Sequence, residues 1–186
     1  LGVIGVADTV KATSYEAIRV WEKMGVKVIM LTGDNRRTAE AVRQKLGISE
    51  VVAEVLPQDK EKKVSELKAQ GHKVAMIGDG INDSPALSAA DVGIAISEGA
   101  QIAREIADVT IGADNLQEVA TLKELSNALM ARIHKNYRMI VGINTGLIVL
   151  GVAGIIPPTT SALLHNTSTL WISTKSMKNL LDREEA

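Results

Sequence analysis

Three short stretches concentrate groups that can handle a phosphoryl group and a hard cation. Thr32-Gly33-Asp34-Asn35 offers a hydroxyl and a carboxylate, Pro57-Gln58-Asp59-Lys60 an ammonium, and Gly78-Asp79-Gly80-Ile81-Asn82-Asp83-Ser84-Pro85 two carboxylates and an amide. A hydroxyl and nearby backbone N–H groups can hold phosphate oxygens, and a lysine ammonium offsets their charge as a point cation. Hard carboxylate oxygens suit Mg²⁺, which takes its remaining ligands from water and phosphate. Asp79 is the better Mg²⁺ candidate because it directly follows an apolar run, while Asp83, one turn later, could ligate directly or through water. Gly78 and Gly80 would let the backbone come close to the ion, and Ser84-Pro85 suit the cap and first turn of a new helix. Taken singly, Thr-Gly-Asp is a common turn and Lys60 an ordinary solvated residue of a helix's first turn. The functional reading rests on the order of all three and on their shared position at the ends of apolar runs.

Those runs are the elements that must position the chemistry. Leu1–Val6, Val26–Leu31, Val51–Ala53, Lys73–Ile77, Val92–Ile96 and Val109–Ile111 read as strands. Between them Ser14–Met24, Arg37–Leu46 and Lys60–Gln70 have helical spacing, and Gly25, Gly47 and Gly71 follow where a left-handed terminal residue is wanted. Alternating strand and helix implies a parallel sheet wrapped by helices, with ligands at the carboxyl ends of the strands. Asp114, with Gln117 three residues on, can cap a further helix over Leu116–Arg132.

The remainder of the chain has a different character. Arg132, His134, Lys135 and Arg138 precede Met139–Ile156, a stretch of 18 residues without a charge, and Pro157-Pro158 stops it. A more polar segment, Thr160 to about Leu181, follows, with Lys175, Lys178 and Arg183 at its far end. Basic residues at both outer ends and an uncharged turn predict a transmembrane helical hairpin whose ends face the cytoplasm. The alternative for the apolar run, which Asn144 and several glycines dilute, is a buried helix of a soluble domain; the flanking charges and the Pro-Pro turn favour the membrane. Hydrophobic residues make up 46% of the chain and aromatic ones 2%, with no Phe, a stock suited to buried parallel strands. A net charge of −1 argues against a nucleic-acid partner, and the absence of cysteine excludes disulfides and thiolate metal sites within this stretch. The chain opens on Leu1 and runs straight into a strand-like segment, which reads as a piece of a longer protein.

Thr32-Gly33-Asp34, Lys60 and Gly78-Asp79-Gly80-Ile81-Asn82-Asp83-Ser84-Pro85-Ala86-Leu87 resemble the later motifs of the haloacid dehalogenase superfamily, and the long form of the last resembles its P-type ATPase branch. The resemblance implies a Rossmann-like α/β domain over residues 1–133 and a membrane helix pair with a short cytoplasmic tail over 134–186. It implies that Thr32 and Lys60 contact the phosphoryl group, that Asp79 binds Mg²⁺, and that Asn82 and Asp83 complete that site. Asp8 matches an aspartate near the hinge to a nucleotide domain. The family's phosphorylated Asp-Lys-Thr-Gly motif does not occur here, nor do the actuator and nucleotide-binding domains and the earlier membrane helices. ATP would therefore be bound mainly by parts outside this chain.

His165-Asn166-Thr167-Ser168-Thr169-Leu170 resembles the last membrane helix of heavy-metal P-type ATPases. Polar residues inside a membrane segment are functional candidates, so Asn144, His165 and Ser168 are expected to meet the transported ion; for the serines and threonines, interhelical hydrogen bonding is the plainer role. Imidazole and oxygen donors suit divalent ions such as Zn²⁺, Mn²⁺ or Fe²⁺ more than Cu⁺. The expectation is part of an exporter of a divalent metal such as Zn²⁺, Cd²⁺, Mn²⁺ or Fe²⁺. It would work through an aspartyl phosphate in the plasma membrane, among lipid, with residues 1–133 cytoplasmic. The alternative is a soluble phosphatase of the same superfamily with a buried apolar tail.

Overall fold

The computed structural model describes residues 10–78, 81–96, 105–112 and 115–181. The expected strand Leu1–Val6 and the expected cap Asp114 lie outside them. The chain resolves into two compact units, Leu1–Ala120 and Thr121–Ala186.

In the first unit helix α1 (Ala12–Lys23) buries Ala17, Ile18 and Trp21 along one face. Strand β1 (Ile29–Leu31) is shorter at its start than the apolar run 26–31, because the Val26 N–H closes the end of α1 on Trp21 O at 2.9 Å. Helix α2 (Arg36–Leu46) begins on Asn35, whose side chain accepts from the Thr38 N–H at 3.0 Å. Strand β2 (Glu50–Val52) pairs in parallel with β1, Ile29 opposite Glu50 and Leu31 opposite Val52. Glu50 takes Lys27 at 2.6 Å and Lys63 at 3.1 Å, and those hydrogen bonds, Lys27's first, hold its carboxyl below the usual range. Helix α3 (Pro57–Ala69) starts three residues before Lys60, since proline fits a helix's first turn.

Strand β3 (Ala75–Gly78) leads through a short 3₁₀ turn, Ile81–Asp83, into helix α4 (Ser84–Ala89), strand β4 (Val92–Ile96) and strand β5 (Val109–Ile111). These three strands form a second parallel ladder in the order β3-β4-β5. Asp91 clasps its mouth by accepting from the Val74 N–H at 3.0 Å and from Lys73 at 3.1 Å, which holds the Asp91 carboxyl low. Helix α4 lies so close on β4 that a Cβ on Gly93 would meet Leu87 O at 2.7 Å. Gly25, Gly47 and Gly71 take left-handed conformations after α1, α2 and α3, as their placement predicts.

Helix α5 (Leu116–Val152) is one continuous element, so the segment 116–132 and the apolar run after it are not separate helices. Its start is held by Asn115, whose side chain accepts from the Gln117 N–H at 3.0 Å. In the second unit α5 pairs with helix α6 (Pro158–Ser176), which begins and ends earlier than the segment 160–181. The transmembrane hairpin is corrected here: a hairpin of helices forms, but no helix among the described residues is long and apolar enough to cross a membrane. The reason is where α5 stops. Gly154 (φ 72°) closes it, with the Ile155 N–H on Leu150 O at 2.9 Å and the Gly154 N–H on Gly151 O at 3.0 Å. Only Met139–Val152 of the charge-free run is helical in α5. At 1.5 Å per residue that is about 21 Å, against a hydrocarbon core of about 30 Å. Pro157 and Pro158 do not stop α5; they open α6.

Candidate functional site

The ends of β1, β3 and β4 share one cavity of about 400 Å³, with Leu31, Ile77, Gly78 and Ile96 in its wall. Lys60 and Asp83 also line it, and they are bonded to each other: Lys60 Nζ donates to Asp83 Oδ1 at 2.7 Å. Lys60 comes from the first turn of α3, Asp83 from the 3₁₀ turn after β3. Asp83 is 7% exposed, the one charged residue found in the core among the described residues. The pair is therefore a short ammonium–carboxylate contact, mostly shielded from water, at a strand-end rim.

Gly78 explains how Asp83 fits. A Cβ on Gly78 would sit 2.7 Å from Asp83 Cβ and 2.9 Å from Asp83 Oδ2. The glycine makes room for the carboxylate side chain itself. Ser84 does not cap α4 with its side chain; its buried hydroxyl has no hydrogen-bond partner among the described residues.

Thr32, Gly33 and Asp34 follow β1 as expected, outside the cavity wall. Thr32 Oγ1 accepts from the Asp34 N–H at 3.1 Å and donates to Asp34 Oδ2 at 3.0 Å, so hydroxyl and carboxylate close a turn on each other. The Thr32 N–H reaches Val52 O and Thr32 O accepts from Val55, which ties this loop to the end of β2. Glu54, at φ 60°, donates its N–H to Asp34 O at 2.9 Å. Asn82 is exposed beside Asp83. Asp79 and Asp8 lie outside the described residues. Lys11, Thr13 and Ser14, at the start of α1, line the same cavity and went unrecognised in the sequence; the available signal was their position just after Asp8 and ahead of a helix N-terminus.

In the second unit His165 Nδ1 lies 2.8 Å from Asn144 Oδ1, so two of the expected polar residues do meet across the helix pair. Ser168 does not join them: its hydroxyl donates to His165 O at 2.8 Å, within its own helix. Arg132, expected only as part of a basic flank, donates to Ser176 O at 3.0 Å, to Lys178 O, and to Asn179 O at 2.7 Å, satisfying the carbonyls at the end of α6. Among the described residues no group of three or more His, Cys, Asp or Glu side chains is gathered to hold a metal.

A model of the haloacid dehalogenase-like hydrolase family matches residues 1–91. The chain is 49% identical over 162 residues to copper-transporting ATPase 2 of Rhizobium meliloti, covering 87% of this chain and 20% of that protein. It is 42% identical over 178 residues to the probable copper-exporting P-type ATPase V of Mycobacterium tuberculosis, covering 96% and 23%. The chain thus spans about a fifth of the length of the curated relatives it matches. Among solved structures, a zinc-transporting PIB-type ATPase in its E2.Pi state superposes with a TM-score of 0.85 at 35% identity, over 91% of this chain and 28% of the other. A 3-deoxy-D-manno-octulosonate 8-phosphate phosphatase from Moraxella catarrhalis, at 22% identity and a TM-score of 0.51 over 59% of this chain and 67% of the other, shares the fold.

Proposed function

We propose that this chain is part of a metal-transporting P-type ATPase of the haloacid dehalogenase superfamily and that it supplies the Mg²⁺- and phosphate-facing side of the phosphorylation site of an ATP-driven heavy-metal pump. The observation that carries this reading is the buried Lys60–Asp83 pair at the rim where β1, β3 and β4 end. The Asp83 carboxylate, with Asp79 four residues earlier in the chain, is a hard-oxygen donor set that fits Mg²⁺. When bound, Mg²⁺ supplies positive charge against the oxygens of the phosphoryl group.

Lys60 stands where it can share its charge between Asp83 and an incoming phosphoryl oxygen. Thr32 would exchange its hydrogen bond to Asp34 for one to a second phosphoryl oxygen, with Gly33 leaving the backbone accessible. Asn82 is an exposed amide beside the carboxylate and completes the polar rim. The nucleophilic aspartate and most of the ATP contacts belong to parts of the pump outside this chain, and Asp8 is assigned to the side facing the nucleotide domain.

The helix pair is assigned to the transport side of the same pump, which makes the whole an integral membrane protein of the plasma membrane with residues 1–133 on the cytoplasmic face. Val152 is 86% exposed, Ile155 67% and Leu170 69%. Apolar surface of this kind calls for cover by lipid or by further helices, and a phosphatase with a buried apolar tail would have hidden it. The cargo is a heavy-metal cation. Imidazole nitrogen suits Zn²⁺, Cd²⁺, Mn²⁺ or Fe²⁺, while the curated relatives named above are copper-transporting and the solved PIB-type ATPase is zinc-transporting, so a panel of ions is the test. Metal-stimulated ATP turnover of the full-length protein, measured in detergent with Zn²⁺, Cd²⁺, Mn²⁺, Fe²⁺, Co²⁺ and Cu⁺, should respond to one ion and be lost in Asp79→Ala and Lys60→Met. Turnover of simple phosphate esters with no response to any metal would overturn the proposal.

A further inference from the structure

The charges of the second unit are one-sided. From residue 125 to residue 181 the chain carries no Asp or Glu, and the nearest carboxylates in sequence are Glu124 and Asp182. The cations of that span are Arg132, Lys135, Arg138, Lys175 and Lys178, and the structure brings them to one end of the helix pair. Asn136 Nδ2 of α5 donates to Ser176 Oγ of α6 at 2.6 Å, which fixes the register there. Lys135, Arg138 and Lys175 lie within two residues of that bond, so their backbone positions fall within about 3 Å of one level along the pair. Lys178 follows just past the end of α6, where Arg132 holds its carbonyl. Arg132 is committed to that carbonyl and to those of Ser176 and Asn179. The other four cations are exposed.

On the side of this collar toward the turn between the helices, no Asp, Glu, Lys or Arg occurs from residue 139 to residue 174. Tyr137, Leu170 and Trp171 are exposed at the boundary. Lys175 Nζ lies 4.9 Å from the centre of the Trp171 ring, so the lysine stem runs over the aromatic face. We infer that this end of the helix pair is a docking collar for anionic phospholipid. Headgroup phosphates lie against Lys135, Arg138, Lys175 and Lys178, and acyl chains cover the apolar side chains beside them. A nucleic acid or an acidic protein would answer the four cations and leave Leu170 and Trp171 bare; an anionic amphiphile matches both layers. Exposed Tyr and Trp at such a boundary are where amphipathic rings sit at a membrane surface. Each Lys or Arg near an anionic surface strengthens binding roughly fivefold.

The inference goes beyond the pump reading, and lipid selection is tested without ATP or metal. The full chain is held in micelles of a neutral detergent and titrated with phosphatidylglycerol or phosphatidylcholine bearing brominated acyl chains. Quenching of Trp171 is the part of the signal that Trp171→Phe removes, since Trp21 is buried in the first unit. Phosphatidylglycerol should quench at a mole fraction roughly 100-fold lower than phosphatidylcholine, and the gap should narrow as salt is raised. Joint Lys135→Gln and Arg138→Gln should weaken phosphatidylglycerol roughly 25-fold, whereas Lys45→Gln, exposed on α2, should leave it unchanged. Equal quenching by the two lipids overturns the inference, as does a preference untouched by salt or by the double substitution. Displacement of the lipid by inorganic phosphate or by poly-glutamate at equal anion concentration also overturns it, giving the cations to a free anion or to an acidic protein. Should the double variant fail to fold, the two lipids compared on the unsubstituted chain still decide. The pump reading falls by another route, metal-insensitive ATP turnover of the full-length protein.

Discussion

Replacing Lys60 by Met removes the ammonium from the Lys60–Asp83 pair while keeping most of the side chain's volume. The side chains are 18% and 11% exposed. Breaking a buried pair from one side costs about 3–5 kcal/mol, because the remaining charge stays out of water without a partner. The slight exposure of both groups and the similar volume of Met place Lys60→Met at the lower end, about 3 kcal/mol. For a chain of this size that is a fall in Tm of about 6–12 °C. The converse change is milder. In Asp83→Asn the ammonium sits on a flexible stem that can swing to water, for about 1 kcal/mol. In a double-mutant cycle the two should couple by about 2 kcal/mol. Trp21, 7% exposed in the core of the first unit, reports unfolding by fluorescence once Trp171 is replaced by Phe. If Lys60→Met costs less than about 0.5 kcal/mol, the size of a surface change, or if Asp83→Asn proves the more damaging, the argument from burial is wrong.

Gly78→Ala should cost about 1–3 kcal/mol, the range for overpacking a tight core, because the new methyl group lands on Asp83; the same fluorescence assay reads it, and a neutral result refutes the close approach. Acid should destabilise the first unit. Glu50 and Asp91 both have folded-state values below their ordinary ones of 4.5 and 3.8, so their contributions are present above those values and are lost as pH falls through the lowered ones. Thermal melts from pH 7 to pH 3 should show that loss, smaller in Glu50→Gln; a melting temperature that holds or rises on acidification would count against these pairings.

Much of the first unit was legible because its signals are local. Helix ends at Gly25, Gly47 and Gly71 follow from the rarity of left-handed backbone in other residues, and the strand cores follow from runs of Val and Ile. Boundaries moved where a neighbour intervened. The closing turn of α1 takes Val26 out of β1, and Pro57 draws α3 forward. The end of the apolar run in α5 was misread because the prolines are the louder signal, whereas Gly154 supplies the hydrogen-bonded stop two residues after Val152.

Residue type and order alone determined which groups are available: a lysine after one strand, a carboxylate-rich glycine loop after another, an asparagine and a histidine in the two last helices. Tertiary structure alone decided which of them meet. Lys60 and Asp83 are 23 residues apart and Asn144 and His165 are 21 apart, distances over which no periodicity or turn preference acts. Their pairing depends on how α3 packs beside α4 and the 3₁₀ turn before it, and on the register of α5 against α6. Packing also gave the Thr32 and Ser168 hydroxyls partners within their own segments, Asp34 and the His165 carbonyl. A short hydroxyl side chain bonds to whatever lies within about 3 Å, and only the folded chain determines what that is.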